Sequence, residues 1–139
     1  MSALDRDLLA ERTMVVERHL DRVAERLPAD PALLVPATDA SDAVVLHLWQ
    51  AVQMVIDVAL AACLRFNLGT PTSYGDAFRR LAEAGVLDGG LAARLTRAAG
   101  FRNVVAHAYD RPDMARVQRA ARERPADLRT FLAAVRDRL

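Results

Sequence analysis

The chain of 139 residues contains one cysteine and no lysine. A single cysteine excludes a disulfide framework within the chain, and a reducing cytoplasm is the natural compartment for such a protein. Cys63 lies in the apolar run MVIDVALAACL, so we interpret it as a buried small hydrophobic residue and not as a nucleophile. All 19 basic residues are arginine. Genome base composition explains this bias, although the planar guanidinium group also suits phosphate recognition.

Glycine and proline are scarce, at six residues each, whereas 53% of the residues are hydrophobic. This composition favours a folded, mostly helical protein over a disordered chain, and we expect residues 1–139 to form a single domain. No signal peptide is expected, because charged residues begin at Asp5. The most apolar stretch, residues 43–64, is interrupted by three polar side chains and Asp57. It is therefore a better candidate for a core helix than for a membrane span.

The spacing of the apolar residues predicts helices and no strands. Residues at intervals of three, four and seven form one face of the first helix, namely Leu9, Val16, Leu20, Val23 and Leu27. We expect Asp39 or Ser41 to cap the second helix and Pro125 to break or restart the fifth. The expected fold is all-α, an up-and-down bundle of four to five main helices. The expected helices span 2–27, 41–67, 73–84, 89–109 and a fifth segment that follows the sequence DRPD.

The charge is uneven, and one motif stands in the basic part of the chain. Residues 1–100 carry a net charge of −3, and residues 101–139 carry +4, including the motif RNVVAHAYD. On a helix, Asn103 and His107 share a face, and the long side chain of Arg102 can reach round to it. A guanidinium group can bind a phosphate, while an imidazole can exchange protons with a ribose 2′-OH or a 5′-oxygen. The same spacing also fits a structural role in which these residues cap carbonyl groups and fill a core contact.

The pattern R-N-x-x-x-H-x-Y, formed by Arg102, Asn103, His107 and Tyr109, resembles the signature of the HEPN superfamily. The tyrosine points to the HepT-like branch of that superfamily. The segment LWQAVQMVIDVALAACLRFNLGTPTSYGDAFRRLAEAGVL also resembles the second and third helices of this branch. The resemblance covers roughly residues 10–135.

This resemblance implies a small all-helical toxin that acts in the cytoplasm as a homodimer and does not associate with membranes. The implied activity is cleavage of an RNA substrate without a metal ion or cofactor, with Arg102, Asn103 and His107 as the catalytic residues. The implied partner is a minimal nucleotidyltransferase (MNT) antitoxin, which transfers AMP to Tyr109. A second class of function stays open, that of a non-catalytic helical partner that presents a nucleotide or substrate to a nucleotidyltransferase.

The remaining polar and aromatic residues have structural interpretations. A stripe on the second helix is expected to be a solvated or subunit-facing edge, although Asp57 could instead orient His107 or Arg102. That stripe consists of His47, Gln50, Gln53 and Asp57. His19 is expected to be exposed, and Trp49 to be buried or at an interface. Tyr74 and Phe78 are expected in the core. The sequence contains no metal-binding motif or glycine-rich phosphate loop.

Overall fold

The computed structural model describes residues 3–107 and 113–139, and for Pro31 and residues 101–107 it describes the backbone alone. Within these ranges the chain forms five α-helices and no strand, which confirms the predicted all-α bundle. A short 3-10 turn, Pro31–Leu33, lies in the connection between the first two helices. The helices are α1 (Arg6–Arg26), α2 (Asp39–Arg65), α3 (Tyr74–Glu83), α4 (Gly89–His107) and α5 (Met114–Arg136).

Helix α2 is the central element of the bundle, because it packs against each of the other four helices. By length and apolar composition alone it could cross a membrane. Packing on several sides instead explains its apolar circumference, as expected for a core helix. Its cap differs from the prediction. The cap is Thr38, whose hydroxyl accepts a hydrogen bond from the Ser41 backbone N–H. The Ser41 hydroxyl in turn accepts a hydrogen bond from the Thr38 backbone N–H. This reciprocal arrangement is a capping box.

Two clusters of buried side chains hold the helices together. The main cluster draws residues from all five helices and includes the edge-to-face pair Phe78 and Phe131, with ring centroids 5.8 Å apart. The smaller cluster lies where α1 ends and where α2 and α5 begin. Its members are Val23, Leu34, Val44, Leu48, Val117, Ala120 and Ala121. It therefore ties the start of α5 to one end of the bundle.

The connection between α2 and α3 is fixed by Asp76. Its carboxylate accepts hydrogen bonds from the Thr72 backbone at 2.9 Å and from Arg80 at 2.8 Å, and it also pairs with Arg79. The bond from Thr72 and then the bond from Arg80 lower the pKa of Asp76 well below its ordinary value. Arg80 also donates to the Leu68 carbonyl at 2.7 Å. The turn before α3 is thus held by charge-assisted hydrogen bonds.

Helix α5 corrects the prediction for Pro125, since the helix is continuous through this residue. A proline in a helix removes the hydrogen bond to the carbonyl four residues earlier and costs about 3 kcal/mol. Both halves of α5 are nevertheless packed on the bundle, with Ala121 and Leu128 buried on either side of the proline. Asp127 also accepts hydrogen bonds from Arg94 and Arg124, each at 3.1 Å. We attribute the continuity of α5 to this packing on both sides.

Candidate active site

The motif begins in the second half of α4, which the structure describes as far as His107. Asp88 begins the helix by accepting hydrogen bonds from the Gly90 and Leu91 backbones at 3.0 and 3.3 Å. The buried face of the helix then anchors it in the main cluster through Leu91, Ala92, Leu95, Ala98 and Ala99. The helical backbone continues to His107 and so carries Arg102 and Asn103 as well. The side chains of these three residues, and Tyr109 as a whole, lie outside the described residues.

Few residues separate α4 from α5 in the sequence, since α4 ends at His107 and α5 begins at Met114, after its cap residue Asp113. Met114 packs against the smaller cluster beside Val117. Arg94, near the start of α4, instead contacts Asp127 in the second half of α5. The two helices therefore run in opposite directions. The carboxyl end of α4 is accordingly at the end of the bundle that the smaller cluster occupies.

A pair of histidines joins α1 to α2. The Nδ1 atoms of His19 and His47 are 3.0 Å apart, and both side chains are half-buried. The prediction that His19 is exposed is therefore wrong, because its ring lies in the seam between the two helices. His47 faces the same seam and is not part of a fully solvated edge. Burial, followed by the nearby charges of His47 and Arg18, lowers the pKa of His19 below 6.5.

This histidine pair predicts an acid-sensitive fold. Because the folded state lowers the pKa of His19, the unfolded chain binds a proton more readily, and stability rises with pH up to about 6.5. Unfolding by urea, measured between about pH 5 and pH 8, should show a free energy of unfolding that falls as the pH falls through this window. The His19→Gln variant should show a smaller decline. An unchanged decline would contradict the role of this contact.

The rest of the polar stripe on α2 agrees with the prediction at Gln50 and Asp57, whereas Gln53 is half-buried and its Oε1 atom is buried without a hydrogen-bond partner among the described residues. Gln50 and Asp57 are exposed, and Asp57 accepts a hydrogen bond from Gln53 on its own helix at 2.9 Å. This arrangement fits the solvated-edge interpretation. The alternative, in which Asp57 orients His107 or Arg102, involves side chains outside the described residues.

The aromatic and cysteine side chains occupy structural positions. Phe78 is buried in the core as predicted, Tyr74 is half-buried against it, and Trp49 is half-buried on α2. The buried thiol of Cys63 donates a hydrogen bond to the Ala77 carbonyl at 3.5 Å. Burial raises the pKa of this thiol and so disfavours the nucleophilic thiolate, in agreement with the prediction. Among the described side chains, no three metal-ligating residues cluster in a way that could hold a metal ion.

Comparison with known proteins decides the family. A family model for HepT-like ribonucleases matches residues 16–135, which is most of the chain. The chain belongs to the HepT-like ribonuclease family. Among curated HepT-like proteins, the mRNA nuclease HepT of Shewanella oneidensis is 22% identical over 130 residues, which cover 94% of this chain and 97% of the relative.

Solved structures of other proteins share the fold. A tri-AMPylated Shewanella oneidensis HEPN toxin in complex with an MNT antitoxin superposes with a TM-score of 0.85 at 22% identity, covering 94% of this chain and 98% of that one. A cytosolic protein of unknown function from Bacillus subtilis, YutE, superposes with a TM-score of 0.82 at 17% identity, covering 100% of this chain and 93% of that one. These structures confirm the predicted helical architecture over nearly the full length of the chain.

Proposed function

We propose that this HepT-like protein is the cytoplasmic toxin of a HEPN–MNT toxin–antitoxin pair, a single domain over residues 1–139 that cleaves RNA without a metal ion. The family match over residues 16–135, which spans the motif helix, carries this proposal. The curated relative is an mRNA nuclease, which supports the proposed ribonuclease activity. The solved relative, an AMPylated toxin bound to its MNT antitoxin, supports the proposed pairing.

The proposed reaction uses the three polar residues of the motif on α4. The Arg102 guanidinium holds the scissile phosphate, and Asn103 donates a hydrogen bond to it. His107 takes the proton from the ribose 2′-OH, and the 2′-oxygen then attacks the phosphorus. The bond to the 5′-oxygen breaks, and a second imidazole returns a proton to that oxygen. The products are a 2′,3′-cyclic phosphate and a free 5′-OH.

The need for a second imidazole predicts a homodimer. Each chain supplies one histidine in the motif, so a two-fold axis that brings two motifs together supplies both the acid and the base. In analytical ultracentrifugation the active protein should sediment as a dimer. Mixing an inactive His107→Ala chain with wild type should then lower the activity per wild-type chain, because mixed dimers lack one imidazole. A monomer that still cleaves RNA would contradict this prediction.

The proposed silencing reaction takes place at Tyr109. The tyrosine oxygen attacks the α-phosphorus of ATP in the active site of the antitoxin, pyrophosphate leaves, and the tyrosine proton passes to solvent or to a base. The added phosphate places a bulky anion two residues beyond His107. It would occupy the site of the substrate phosphate and pair with Arg102. The modified toxin would then bind RNA poorly.

Expression of the chain alone tests the proposed function against its alternative. A toxin should arrest the growth of the host cell, and co-expression of the cognate transferase should restore growth. A non-catalytic partner of a nucleotidyltransferase should not affect growth in either case. Absence of growth arrest, with soluble protein present in the cells, would favour the non-catalytic class.

A further inference from the structure

A basic surface lies in a groove between α1 and α5. The groove encloses a cavity of about 420 Å³. Its floor includes the buried side chains of Leu9 and Leu132, and its rim carries three exposed arginines. We call it the arginine groove, after Arg6, Arg129 and Arg136.

The arginines of this groove are oriented by contacts within the chain. Arg129 donates to both carboxylate oxygens of Glu17, at 2.9 and 3.1 Å, and so fixes the two helices against each other. The Nε atom of Arg6 donates to the Leu139 carbonyl at 3.1 Å, and Arg6 is an exposed residue. Arg136 makes a long contact of 3.6 Å with Asp137, and both side chains are largely exposed. Among the described residues that line the groove there are three arginines and one acidic residue, Glu17, so the lining has a formal net charge of +2; Asp137, the contact of Arg136, lies outside this lining.

The groove continues a line of arginines along α5. Arg122, Arg129 and Arg136 follow one another at intervals of seven residues, and each interval rotates the side chain by about 20° on a helix, so all three lie within about 40° of each other. Arg122 reaches across to the Ala29 carbonyl at 3.1 Å, so it lies on the same α1-facing side as Arg129. At about 1.5 Å per residue, Arg122 lies ~12 Å and Arg136 ~33 Å along the helix from Met114. This line therefore leads from the motif end of the bundle into the groove.

We propose that the arginine groove binds the sugar–phosphate backbone of a single-stranded RNA segment that flanks the cut site. Guanidinium groups bind phosphates through paired hydrogen bonds, and their planes stack on unpaired bases. The small side chains of Ala10, Thr13 and Ala133 also line the groove and are exposed or half-buried, so a ribose can contact them there. A single strand that enters the motif can follow the arginines of α5 to the groove. This inference rests on the proposed nuclease activity. It adds that the protein binds RNAs long enough to reach the groove more tightly than shorter ones.

The double variant Arg6→Gln and Arg136→Gln tests this proposal, because it removes two rim charges and keeps the bridge between Arg129 and Glu17. The matched control is Arg22→Gln with Arg65→Gln, which removes two charges from exposed positions elsewhere. Two RNAs with the same mapped cut site are compared, one of about 20 nucleotides and one of about 4, which is too short to reach the groove. Steady-state kinetics give KM and kcat for each RNA.

The groove variant should raise KM for the long RNA on the order of tenfold and leave kcat and the short RNA unchanged. The dependence of long-RNA affinity on salt should also weaken, because each lost phosphate contact lowers the slope by about 0.7. The control variant should match wild type on both RNAs. Equal effects on both RNAs, or none on the long RNA, would overturn the proposal. So would unchanged RNA kinetics with weakened binding to the transferase, which would assign the groove to an acidic protein surface.

A binding measurement tests the groove even if the protein proves not to be a nuclease. If wild type cleaves neither RNA, fluorescence anisotropy of the labelled long RNA still compares wild type, groove variant and control. Weaker binding by the groove variant alone would keep the groove as an RNA site. Equal binding by all three proteins would overturn it.

Discussion

Replacing His107 with alanine is expected to lower the rate of RNA cleavage by about 10²–10⁴-fold, the usual contribution of general acid–base catalysis. The substitution removes the group that exchanges protons with the ribose 2′-OH and the leaving 5′-oxygen. The effect should appear in kcat more than in KM, since the imidazole acts mainly in the transition state. Single-turnover cleavage of a labelled RNA provides the measurement.

Two further variants separate chemistry from folding in this experiment. Arg102→Lys keeps the positive charge but loses the planar guanidinium, so its activity should also be strongly reduced. Arg97→Lys makes the same change one and a half turns earlier on α4 and should leave the activity near that of wild type. All three variants should melt close to wild type. Full activity in His107→Ala would remove this residue from the proposed mechanism.

Replacing Tyr109 with phenylalanine is expected to abolish silencing by the transferase. The ring is kept, so much of the ribonuclease activity should remain, but the hydroxyl that accepts AMP is gone. In cells, this variant should arrest growth even when the transferase is co-expressed. Intact mass spectrometry after incubation with transferase and ATP should show an AMP adduct on wild type and none on the variant.

The chain offers a matched control for this experiment, because Tyr74 is its only other tyrosine. Tyr74 is half-buried against the main core at the start of α3. The Tyr74→Phe variant should be modified and silenced like wild type. An adduct that maps to Tyr74, or a wild-type mass that does not change, would overturn the assignment of Tyr109.

The fold followed from the sequence where the signals were periodic. The heptad-like spacing of Leu9, Val16 and Val23 predicted α1, and the apolar circumference of α2 predicted its central position. Local signals alone failed where tertiary contacts decide. The sequence predicts a helix break at Pro125, but packing on both sides of it keeps α5 continuous. His19 was read as exposed because its sequence neighbours are charged, whereas its partner His47 lies 28 residues away.

The site was predictable as a motif but not as a surface. The spacing of Arg102, Asn103 and His107 indicated a helix, and α4 includes all three. The arginine groove was missed, because Arg6 and Arg136 come from opposite ends of the chain and only the fold brings them together. A partial signal was present, since arginines recur at intervals of seven along α5. The sequence therefore predicts that these arginines share a face of α5. It does not predict the groove that this face forms with α1.

The central claim is that this HepT-like protein cleaves RNA by proton transfer without a metal ion. Its most direct test is digestion of a labelled RNA by purified wild-type protein in excess EDTA, followed by analysis of the new ends. We expect undiminished cleavage that leaves a 2′,3′-cyclic phosphate and a 5′-OH, and that is lost in His107→Ala. Cleavage that stops in EDTA, returns with Mg²⁺ and survives the His107→Ala substitution would contradict it.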